Sequence, residues 1–479
     1  MLPLPRRKPS PGLPTTRFVP SSPSSSSSPS STYKDKNLRP RSLRLRLSAL
    51  LWRPPVLLGL FVGVLLVAGW ALGLFGGGGG RVRMGGGPRV VARDWEAPLA
   101  GGKEARGAPI TLANGTVLPA QTYSETVLIL CPMRNALEHI WHFFHLLDSL
   151  SYPHHLIHLA ILVSDSTDRT YARALELADE RQYARSYSGK RFGRVSVFRR
   201  DFAERENRAE EEGRYGGENV GAERHAYSAQ VGRRRLLAKS RTWLLSAALT
   251  PEVDYALWLD VDLVDYEPGM VERLLAYAKG EIVGEGEEKG RGADVVVPNC
   301  VWKTYNEMGA YDRNNWLETP ESRALKKTLN TSDVLIEGYT SHPTHRFNLA
   351  ALVPSTPDVL SPFSDHLLSP SYPLSSLPSS QYPPSGVTLP AALEGAHHVP
   401  ETLELDGVGG CAALVRADVH REGAVFPSWP VEHQLETEGF AQLVKAVRAR
   451  PRGGGGEGDV GRGRMLGLPG YYVYHGLYG

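Results

Sequence analysis

One short apolar run constrains the fold of this chain more than any other feature. The residues from Ala256 to Leu259 are apolar, follow Pro251 after a few positions, and lead directly to the carboxylates of Asp260 and Asp262. A run of this length next to a turn signal is typical of a buried parallel strand and is too short for a helix. Residues two apart on an extended chain share one face, so both carboxylates are able to bind one hard cation and, through it, a diphosphate.

The position of these carboxylates decides between two interpretations. Asp-x-Asp patterns are frequent by chance, and most of them are solvated loop residues, so the motif alone is weak. Ligands in open α/β sheets bind just beyond the carboxyl ends of strands, which is where Asp260 and Asp262 would lie. The strand and the two carboxylates together therefore predict a nucleotide-sugar transferase site.

Apolar runs and helical patterns alternate from residue 123 onward. The predicted strands are Val127–Cys131, Leu159–Val163, Val195–Phe198, Asp294–Pro298 and a run that follows Gly410. The predicted helices are 137–150, 231–249, a stretch from Pro268 to 278 and another from the segment 433–440 to 447. Such alternation is typical of βαβ units, so we expect an α/β fold with a mostly parallel central sheet. The Pro/Ser-rich segment 347–399 is interpreted as an insertion in this domain, which spans 123–479.

The first 122 residues divide by composition into three segments. Residues 1–55 are rich in Pro and Ser and carry eleven Lys or Arg against one acid, which predicts a disordered basic tail. Residues 56–75 are uncharged over about twenty positions, the length of a transmembrane helix. The basic residues before this helix place the N-terminus in the cytosol. Residues 76–122 are Gly-rich at their start and predict a flexible stem. We therefore expect a single-pass type II membrane protein with a lumenal domain.

Sequons and cysteines are consistent with a lumenal domain without deciding its function. N-glycosylation sequons begin at Asn114 and Asn330, both on the predicted lumenal side. Cys131, Cys300 and Cys411 lie far apart, in or beside apolar runs, which favours buried thiols over a disulfide scaffold or a zinc site. The formal net charge of +3 is close to neutral, so the composition does not indicate nucleic-acid binding.

Two segments have compositions expected of ligand contacts. Residues 311–320 mix aromatic rings with amides and carboxylates, among them Asn315 and Trp316, as in sites where rings stack on sugars. An irregular loop with packed Trp side chains is the alternative. Residues 404–410 place three glycines beside Asp406, which predicts a close approach of the backbone to a ligand.

Taken together, these segments resemble the fungal Golgi α-mannosyltransferases that build the mannan backbone of N-glycans. Those proteins are subunits of the mannan polymerase complexes, in glycosyltransferase family 62. The matching segments are Pro132–Asn135, Leu162–Ser166, Arg233–Lys239, Trp258–Asp262, Asn314–Pro320, Glu404–Gly410, Phe426–Pro427, His433–Phe440 and Val473–His475. They are spread over residues 125–475, and their number and order make the resemblance specific. Low-complexity insertions near 204–223, 347–399 and 451–463 lie outside it.

The resemblance implies a GT-A-type nucleotide-sugar transferase fold, a GDP-mannose donor, Mn²⁺ as cofactor and retention of the α configuration. It assigns Asp260, Asp262 and His475 to the metal. It places the nucleotide against Pro132, Arg134, Asp165, Arg233 and Lys239. It places the acceptor against Asn315, Trp316, Asp406, Gly409 and Gly410, with Glu436 and Glu438 as catalytic carboxylates on the acceptor side.

The resemblance also implies a Golgi membrane enzyme that elongates mannose-terminated N-glycans or mannan, by α-1,6 linkage, together with other subunits of a mannan polymerase complex. Two mechanisms stay open at this stage. The acceptor hydroxyl attacks on the face of the leaving group, or Glu436 or Glu438 acts as a nucleophile. Two other roles also stay open: a weakly active or non-catalytic scaffold subunit, and a lumenal mannan-binding module. Metal-dependent binding of GDP would count against the last.

Overall fold

The computed structural model describes the larger part of the predicted domain. The described residues are 91–96, 104–107, 109–111, 117–187, 189–202, 227–282, 290–303, 311–339, 341–353, 390, 393–394, 397–448 and 463–476. The predicted tail, the predicted membrane anchor and the sequon at Asn114 lie outside them, as do most of the three insertions. Among the described residues, no helix combines the length and apolarity needed to cross a membrane. Asn330 is described and exposed, and its glycosylation stays a prediction.

A ten-stranded sheet runs through the described part of the chain. Its strands are β1 (Val91–Glu96), β2 (Val127–Met133), β3 (Ile157–Val163), β4 (Arg194–Arg199), β5 (Tyr255–Leu259), β6 (Leu263–Asp265), β7 (Val295–Trp302), β8 (Leu403–Glu404), β9 (Ala412–Arg416) and β10 (Met465–His475). They lie in the order β1-β4-β3-β2-β5-β9-β7-β10-β6, and β8 pairs with β10. Small two-stranded sheets pair Ala105–Arg106 with Thr122–Tyr123, Ile110–Thr111 with Val117–Leu118, and Trp316–Leu317 with Phe347–Asn348.

Strand direction differs between the two halves of the sheet. The neighbours β4, β3, β2 and β5 are parallel, as the alternation of strands and helices predicts. In the other half, β9 pairs antiparallel with both β5 and β7, and β10 pairs antiparallel with β6 and β8 but parallel with β7. The prediction of a mostly parallel sheet is wrong for this half, because a continuous apolar run indicates burial on both faces and not strand direction. The fold is mixed α/β.

Helices cover both faces of the sheet. They are α1 (Ile140–Ser149), α2 (Thr170–Tyr183), α3 (Tyr227–Ala248), α4 (Met270–Lys279), α5 (Pro320–Lys326), α6 (Ala417–Arg421) and α7 (Glu436–Arg448), with 3₁₀ turns at His154–Leu156, Arg185–Tyr187 and Leu349–Leu352. The predicted strands and helices are present within a few residues of their predicted bounds. β2 continues beyond Cys131, the predicted end of the strand, and includes Pro132 and Met133.

Alternate residues of the central strand enter two different cores. In β5, Leu257 and Leu259 pack with residues of α1, α2 and α4, whereas Ala256 and Trp258 pack with residues of α3, α6 and α7. Burial of a Leu-sized side chain stabilises the fold by roughly 1.5–3 kcal/mol, so polar side chains are disfavoured along the strand. They are tolerated where the strand ends, and this places Asp260 at the edge of the sheet.

The pairing of β7 with β9 brings two distant cysteines together. Cys300 and Cys411 form a disulfide with Cα atoms 6.5 Å apart, although 111 positions separate them in the sequence. The prediction of buried thiols is therefore wrong for these two, because the sequence spacing conceals a contact that the antiparallel pairing creates. Cys131 is a free, buried thiol, as predicted, and burial raises its pKa well above the ordinary value.

Glu272 on α4 is expected to make the stability of the fold depend on pH. Its side chain is 1% exposed and accepts a hydrogen bond from Oγ of Ser151 at 2.7 Å. Burial raises its pKa to about 7, whereas an unfolded Glu titrates near about 4.3. Between these values the folded state keeps a proton that the unfolded state has lost. The contribution of Glu272 to the free energy of unfolding is therefore complete below about pH 4. It falls by roughly 3 kcal/mol as the pH rises to 7.

Urea unfolding between pH 4 and 8 measures this slope. Glu272→Gln is expected to flatten the slope and to make the protein more stable than wild type at pH 8. Glu138, which is exposed, provides the matched control, and Glu138→Gln is expected to leave the slope unchanged. A wild-type slope that persists in Glu272→Gln contradicts the assignment.

Candidate active site

The carboxyl ends of three parallel strands meet at one edge of the sheet. Asp260 follows β5, Arg134 follows β2, and Asp165 lies two positions beyond β3. Arg134 is exposed, whereas Asp165 is buried, has a φ of +49° and accepts the backbone amide of Phe202 at 3.1 Å. The predicted nucleotide residues Pro132, Arg134 and Asp165 are therefore brought to the same edge as Asp260. Their contact with a nucleotide stays a prediction.

Asp262 meets His475 at this edge. β10 ends beside β6, where His475 is paired with Leu263. Nε2 of His475 lies 3.0 Å from Oδ2 of Asp262. The ring of Tyr311 stacks on the imidazole with centroids 3.7 Å apart, and Trp302 meets it edge-on at 5.1 Å. A histidine close to the end of the chain is thus fixed by two aromatic rings and directed at a carboxylate.

The Asp262–His475 pair fits a divalent cation that receives further ligands from another molecule. Among the described residues, no group other than Asp262 engages either ring nitrogen of His475, and 36% of the Asp262 side chain is exposed. Within the described ranges, no three His, Cys, Asp or Glu side chains are close enough to hold a metal ion by themselves. Hard cations commonly complete their coordination with substrate phosphates and water. The pair therefore fits a cation that is bound together with a diphosphate.

Asp260 is engaged by a buried arginine that the sequence did not single out. Arg241 on α3 is 1% exposed, and its Nη2 donates to Oδ1 of Asp260 at 2.9 Å and to the carbonyl of Gly410 at 3.3 Å. Its Nε lies 2.9 Å from Oε1 of Glu436. One guanidinium thus joins the end of β5 to the start of α7. The prediction that Asp260 is a metal ligand is weakened, because Arg241 already occupies one of its oxygens.

The surroundings shift the pKa values of Asp260 and Asp262 in opposite directions. Burial raises the pKa of Asp260 to about 7, with Arg241 opposing the rise and Asp262 adding to it. Burial acts on Asp262 in the same way, but the hydrogen bond and the charge of His475 outweigh it, so the pKa of Asp262 lies below its ordinary value. Asp262 is therefore the carboxylate of the pair that stays ionised at neutral pH.

The two predicted phosphate-binding cations of α3 lie on different faces of the helix. Arg233 and Lys239 are both exposed. Burial raises the pKa of Tyr311, and the positive charge of Arg233 opposes the rise, which puts Arg233 within electrostatic reach of that ring. Lys239 precedes Arg241 by two positions, about 200° around the helix, so it lies on the opposite face. The charge of Arg233 therefore acts at Tyr311 beside the cation-binding pair. The contact of Arg233 or Lys239 with phosphates stays a prediction.

Two residues predicted to contact an acceptor are buried inside the protein. Trp316 is 0% exposed, its Nε1 donates to Oε1 of Glu438 at 2.8 Å, and the guanidinium of Arg346 lies 3.6 Å from the centre of its ring. Asn315 is 2% exposed and its Oδ1 accepts the backbone amide of Gly409 at 2.8 Å. Both side chains are buried and engaged by the protein, so the geometry favours a structural role for Asn315 and Trp316 over the predicted contact with an acceptor. A mixture of aromatics and amides is equally typical of a buried polar network.

The glycines near residue 409 make close approaches to protein side chains. A Cβ on Gly409 would lie 1.8 Å from Oδ2 of Asp312, and one on Gly410 would lie 2.5 Å from Nη2 of Arg241. The backbone approaches other groups closely at both glycines, but these groups are side chains of this protein, and the predicted close approach to a ligand stays a prediction. Gly409 and Gly410 therefore shape the site indirectly, by leaving room for Asp312 and Arg241.

Asp406 connects its loop to two neighbouring elements. Its Oδ2 accepts the backbone amide of Glu318 at 2.8 Å, and its Oδ1 pairs with Lys445 on α7. Its own backbone amide donates to the carbonyl of Trp316 at 2.8 Å. Because the protein engages both carboxylate oxygens, the geometry favours a structural role for Asp406 over the predicted contact with an acceptor.

Glu438, predicted as a catalytic carboxylate, is completely enclosed. It is 0% exposed, and its Oε1 accepts from Nε1 of Trp316 at 2.8 Å and from Nη1 of Arg346 at 3.4 Å. Its Oε2 pairs with Arg234. A nucleophile has to reach its substrate, so this geometry favours a structural role for Glu438 over the predicted catalytic one. Glu436 is 6% exposed, and its Oε1 lies 2.9 Å from Nε of Arg241, which also binds Asp260.

Gly409→Ala is expected to destabilise the protein and to lower any activity of the site. The added methyl would overlap the carboxylate of Asp312, which is held in place by the backbone amide of Asn314 at 2.8 Å. Overpacking of this kind costs roughly 1–3 kcal/mol. Thermal unfolding measures the loss, with Gly189→Ala as the control, because nothing lies within 4 Å of a Cβ at Gly189. Equal melting temperatures for the two variants would contradict the packing described for Gly409.

Comparisons with known proteins identify the family. The sequence model of the Anp1 family matches residues 112–430. The mannan polymerase complex subunit mnn9 of Schizosaccharomyces pombe is 30% identical over 73% of this chain and 80% of its own length. The chain therefore belongs to the Anp1 family, in agreement with the resemblance found in its motifs.

Two further relatives are longer than the matching region. The mannan polymerase II complex anp1 subunit of S. pombe is 31% identical and that of Saccharomyces cerevisiae is 29% identical, each over 73% of this chain. The chain spans 64% and 55% of their lengths.

Among solved structures, the mannosyltransferase PcManGT from Pyrobaculum calidifontis in complex with GDP-Man and Mn2+ is 10% identical, over 74% of this chain and 57% of that one. Its TM-score is 0.32, too low to carry an inference.

Proposed function

We propose that this chain is a Golgi α-mannosyltransferase that transfers mannose from GDP-mannose to mannan or N-glycan acceptors. The observation that carries the proposal is the Asp262–His475 pair, 3.0 Å apart beyond the carboxyl end of β5. Membership of the Anp1 family supports it, since the relatives are named as subunits of mannan polymerase complexes. The proposal includes a lumenal catalytic domain anchored in the Golgi membrane, α-1,6 linkage and assembly with other subunits of such a complex.

The site residues have different roles in binding the donor. Asp262 and His475 would hold the divalent cation, Mn²⁺, with further ligands from the donor diphosphate. When bound, this cation supplies charge neutralisation at the leaving group. Arg241 fixes the carboxylate of Asp260 beside the site at 2.9 Å. Arg233, exposed on α3, supplies a positive charge toward the phosphates.

Among the described residues, the two carboxylates predicted on the acceptor side, Glu436 and Glu438, are both engaged by arginines of this protein. Glu438 is enclosed, and Oε1 of Glu436 lies 2.9 Å from Nε of Arg241. We therefore propose that the acceptor hydroxyl attacks on the face that the diphosphate leaves. The bond between the anomeric carbon and the leaving oxygen breaks, the new glycosidic bond forms on the same face, and the hydroxyl proton passes to the departing phosphate. The α configuration is retained.

Transfer by the purified full-length chain tests the proposal. GDP-mannose and α-1,6-mannobiose are incubated with the protein and Mn²⁺, and the product is analysed by mass and by NMR. The expected product is an α-linked trisaccharide whose formation stops with EDTA and resumes with added Mn²⁺. Binding of GDP without any product, alone or with partner subunits, would favour the scaffold role. Binding of mannan with no response to GDP would favour the mannan-binding module.

A further inference from the structure

Three aromatic rings meet beside the start of α3. The ring of Tyr227, the first residue of that helix, stacks on His342 with centroids 4.3 Å apart and planes inclined by 15°. Tyr339 meets Tyr227 edge-on at 5.5 Å and 86°. His342 is exposed, and both tyrosines are partly exposed. We call Tyr227, Tyr339 and His342 the aromatic ledge.

The aromatic ledge is held in place by a small core and by hydrogen bonds. Tyr227 and Tyr339 pack on a buried cluster formed by Val334, Ile336 and Leu435. The hydroxyl of Tyr227 donates to the carbonyl of Val334. Because the rings are ordered by the protein itself, a ligand that stacks on them pays little additional ordering entropy.

The aromatic ledge is connected to the site through α3 and the start of α7. Leu435, in the small core beneath the ledge, directly precedes Glu436, whose Oε1 lies 2.9 Å from Nε of Arg241. Arg241 in turn donates to Oδ1 of Asp260 at 2.9 Å. The ledge and the site are therefore built on the same two helices.

The chemistry of the aromatic ledge matches a carbohydrate better than an apolar partner. Each of its rings combines an apolar face with a polar atom at its edge, which is the amphipathic character that aromatic side chains bring to binding sites. Sugar rings present the same combination, with C–H groups on one face and hydroxyls at the rim. Arg233 is exposed on the helix that begins at Tyr227, and Arg313 is exposed near Gly338, so hydrogen-bond donors for those hydroxyls are present on the neighbouring segments.

We propose that the aromatic ledge is an acceptor subsite that binds mannose units preceding the one that reacts. This inference rests on the proposed function, because it takes the acceptor to be a mannose chain. It predicts that the ledge affects long acceptors and leaves the donor and short acceptors unaffected. A mannose acceptor that occupies both the reacting position and the ledge would bind more tightly than a disaccharide that reaches only the reacting position.

The test compares short and long acceptors in the full-length protein. His342→Ala and Tyr339→Ala are expected to lower kcat/KM for α-1,6-mannopentaose about five- to tenfold, with little change for mannobiose or in the KM of GDP-mannose. Tyr183→Ala is the matched control, since Tyr183 is 61% exposed at the end of α2. Equal losses for both acceptors, or the same acceptor-length effect in Tyr183→Ala, would overturn the proposal. His342 is exposed, so its removal tests the ledge without disturbing the core beneath it.

Calorimetric binding of mannopentaose without donor separates this inference from the proposed function. If wild type binds mannopentaose and His342→Ala binds it at least fivefold more weakly, the ledge is a mannose-binding subsite even in a chain that transfers nothing. If transfer occurs but binding and kcat/KM for mannopentaose are equal in wild type and His342→Ala, the proposed function stands and the subsite does not. Absence of mannopentaose binding in the wild type at millimolar concentration also overturns the subsite.

Discussion

Asp262→Asn is expected to lower mannose transfer by about a hundredfold or more, because a catalytic cation supplies several kcal/mol of charge stabilisation that the amide no longer recruits. Asp262 is the carboxylate whose pKa is lowered by His475, so it is the anionic member of the cation-binding pair. Asn has nearly the same shape and keeps a hydrogen bond to the imidazole, so the fold is expected to be retained. Initial rates at saturating GDP-mannose and a range of Mn²⁺ concentrations measure the loss.

The control for this substitution is an aspartate with an ion pair but no place in the site. Asp179 on α2 is about half exposed and pairs with Arg93 at 3.2 Å. Asp179→Asn is expected to leave transfer within twofold of wild type, since exposed pairs contribute about 0–1 kcal/mol. Wild-type rates for Asp262→Asn, in a protein with an unchanged melting temperature, would remove Asp262 from the account of catalysis.

Glu438→Ala is expected to destabilise the protein more than any other single change considered, by about 3–5 kcal/mol. The substitution leaves the buried guanidinium groups of Arg234 and Arg346 without their shared carboxylate and removes the partner of the Trp316 indole. Denaturant unfolding measures the loss. This result would support a structural role for Glu438, in contrast to the catalytic role that the sequence suggests.

Glu404 provides the comparison for Glu438, because it also pairs with an arginine but is exposed. Its carboxylate lies 3.7 Å from Nε of Arg464 and its side chain is 56% exposed. Glu404→Ala is expected to change the unfolding free energy by less than about 1 kcal/mol. If Glu438→Ala unfolds at the same denaturant concentration as wild type and yet loses all transfer, the nucleophile assignment is restored.

The sequence predicts the elements of the fold well because the sheet is buried on both faces. Runs such as Val127–Cys131 and Leu159–Val163 are apolar without interruption, since α1 and α3 cover opposite sides. Strand direction is not encoded in those runs. The antiparallel insertion of β9 between β5 and β7, and with it the contact of Cys300 and Cys411, depends on chain connections that apolar periodicity does not describe.

The site is predictable only in part, and the reason lies in burial. The motif at Asp260 and Asp262 locates the edge of the sheet, because two carboxylates that directly follow a buried strand mark the point where the chain leaves the core. Trp316 and Glu438 share the composition of a sugar site, yet both are 0% exposed. Composition identifies polar and aromatic groups, but only the fold decides whether they face solvent or each other.

Arg241 is the residue that sequence analysis missed, although a signal for it exists. It lies seven positions after Arg234 on α3, so the two share a face of the helix. That face also carries Ala238 and Leu245, which are buried. An arginine on an apolar helix face requires a buried anion, and Asp260 and Glu436 provide two.

Binding of GDP with and without Mn²⁺ tests the central claim most directly. Isothermal titration of the full-length protein with GDP is performed in EDTA, in Mn²⁺, and in Mn²⁺ with Asp262→Asn. We predict binding that is at least tenfold tighter with Mn²⁺ and a loss of this gain in the variant, because the cation joins Asp262 and His475 to the diphosphate. GDP affinity that is equal in all three titrations would contradict a cation–diphosphate site at the end of β5.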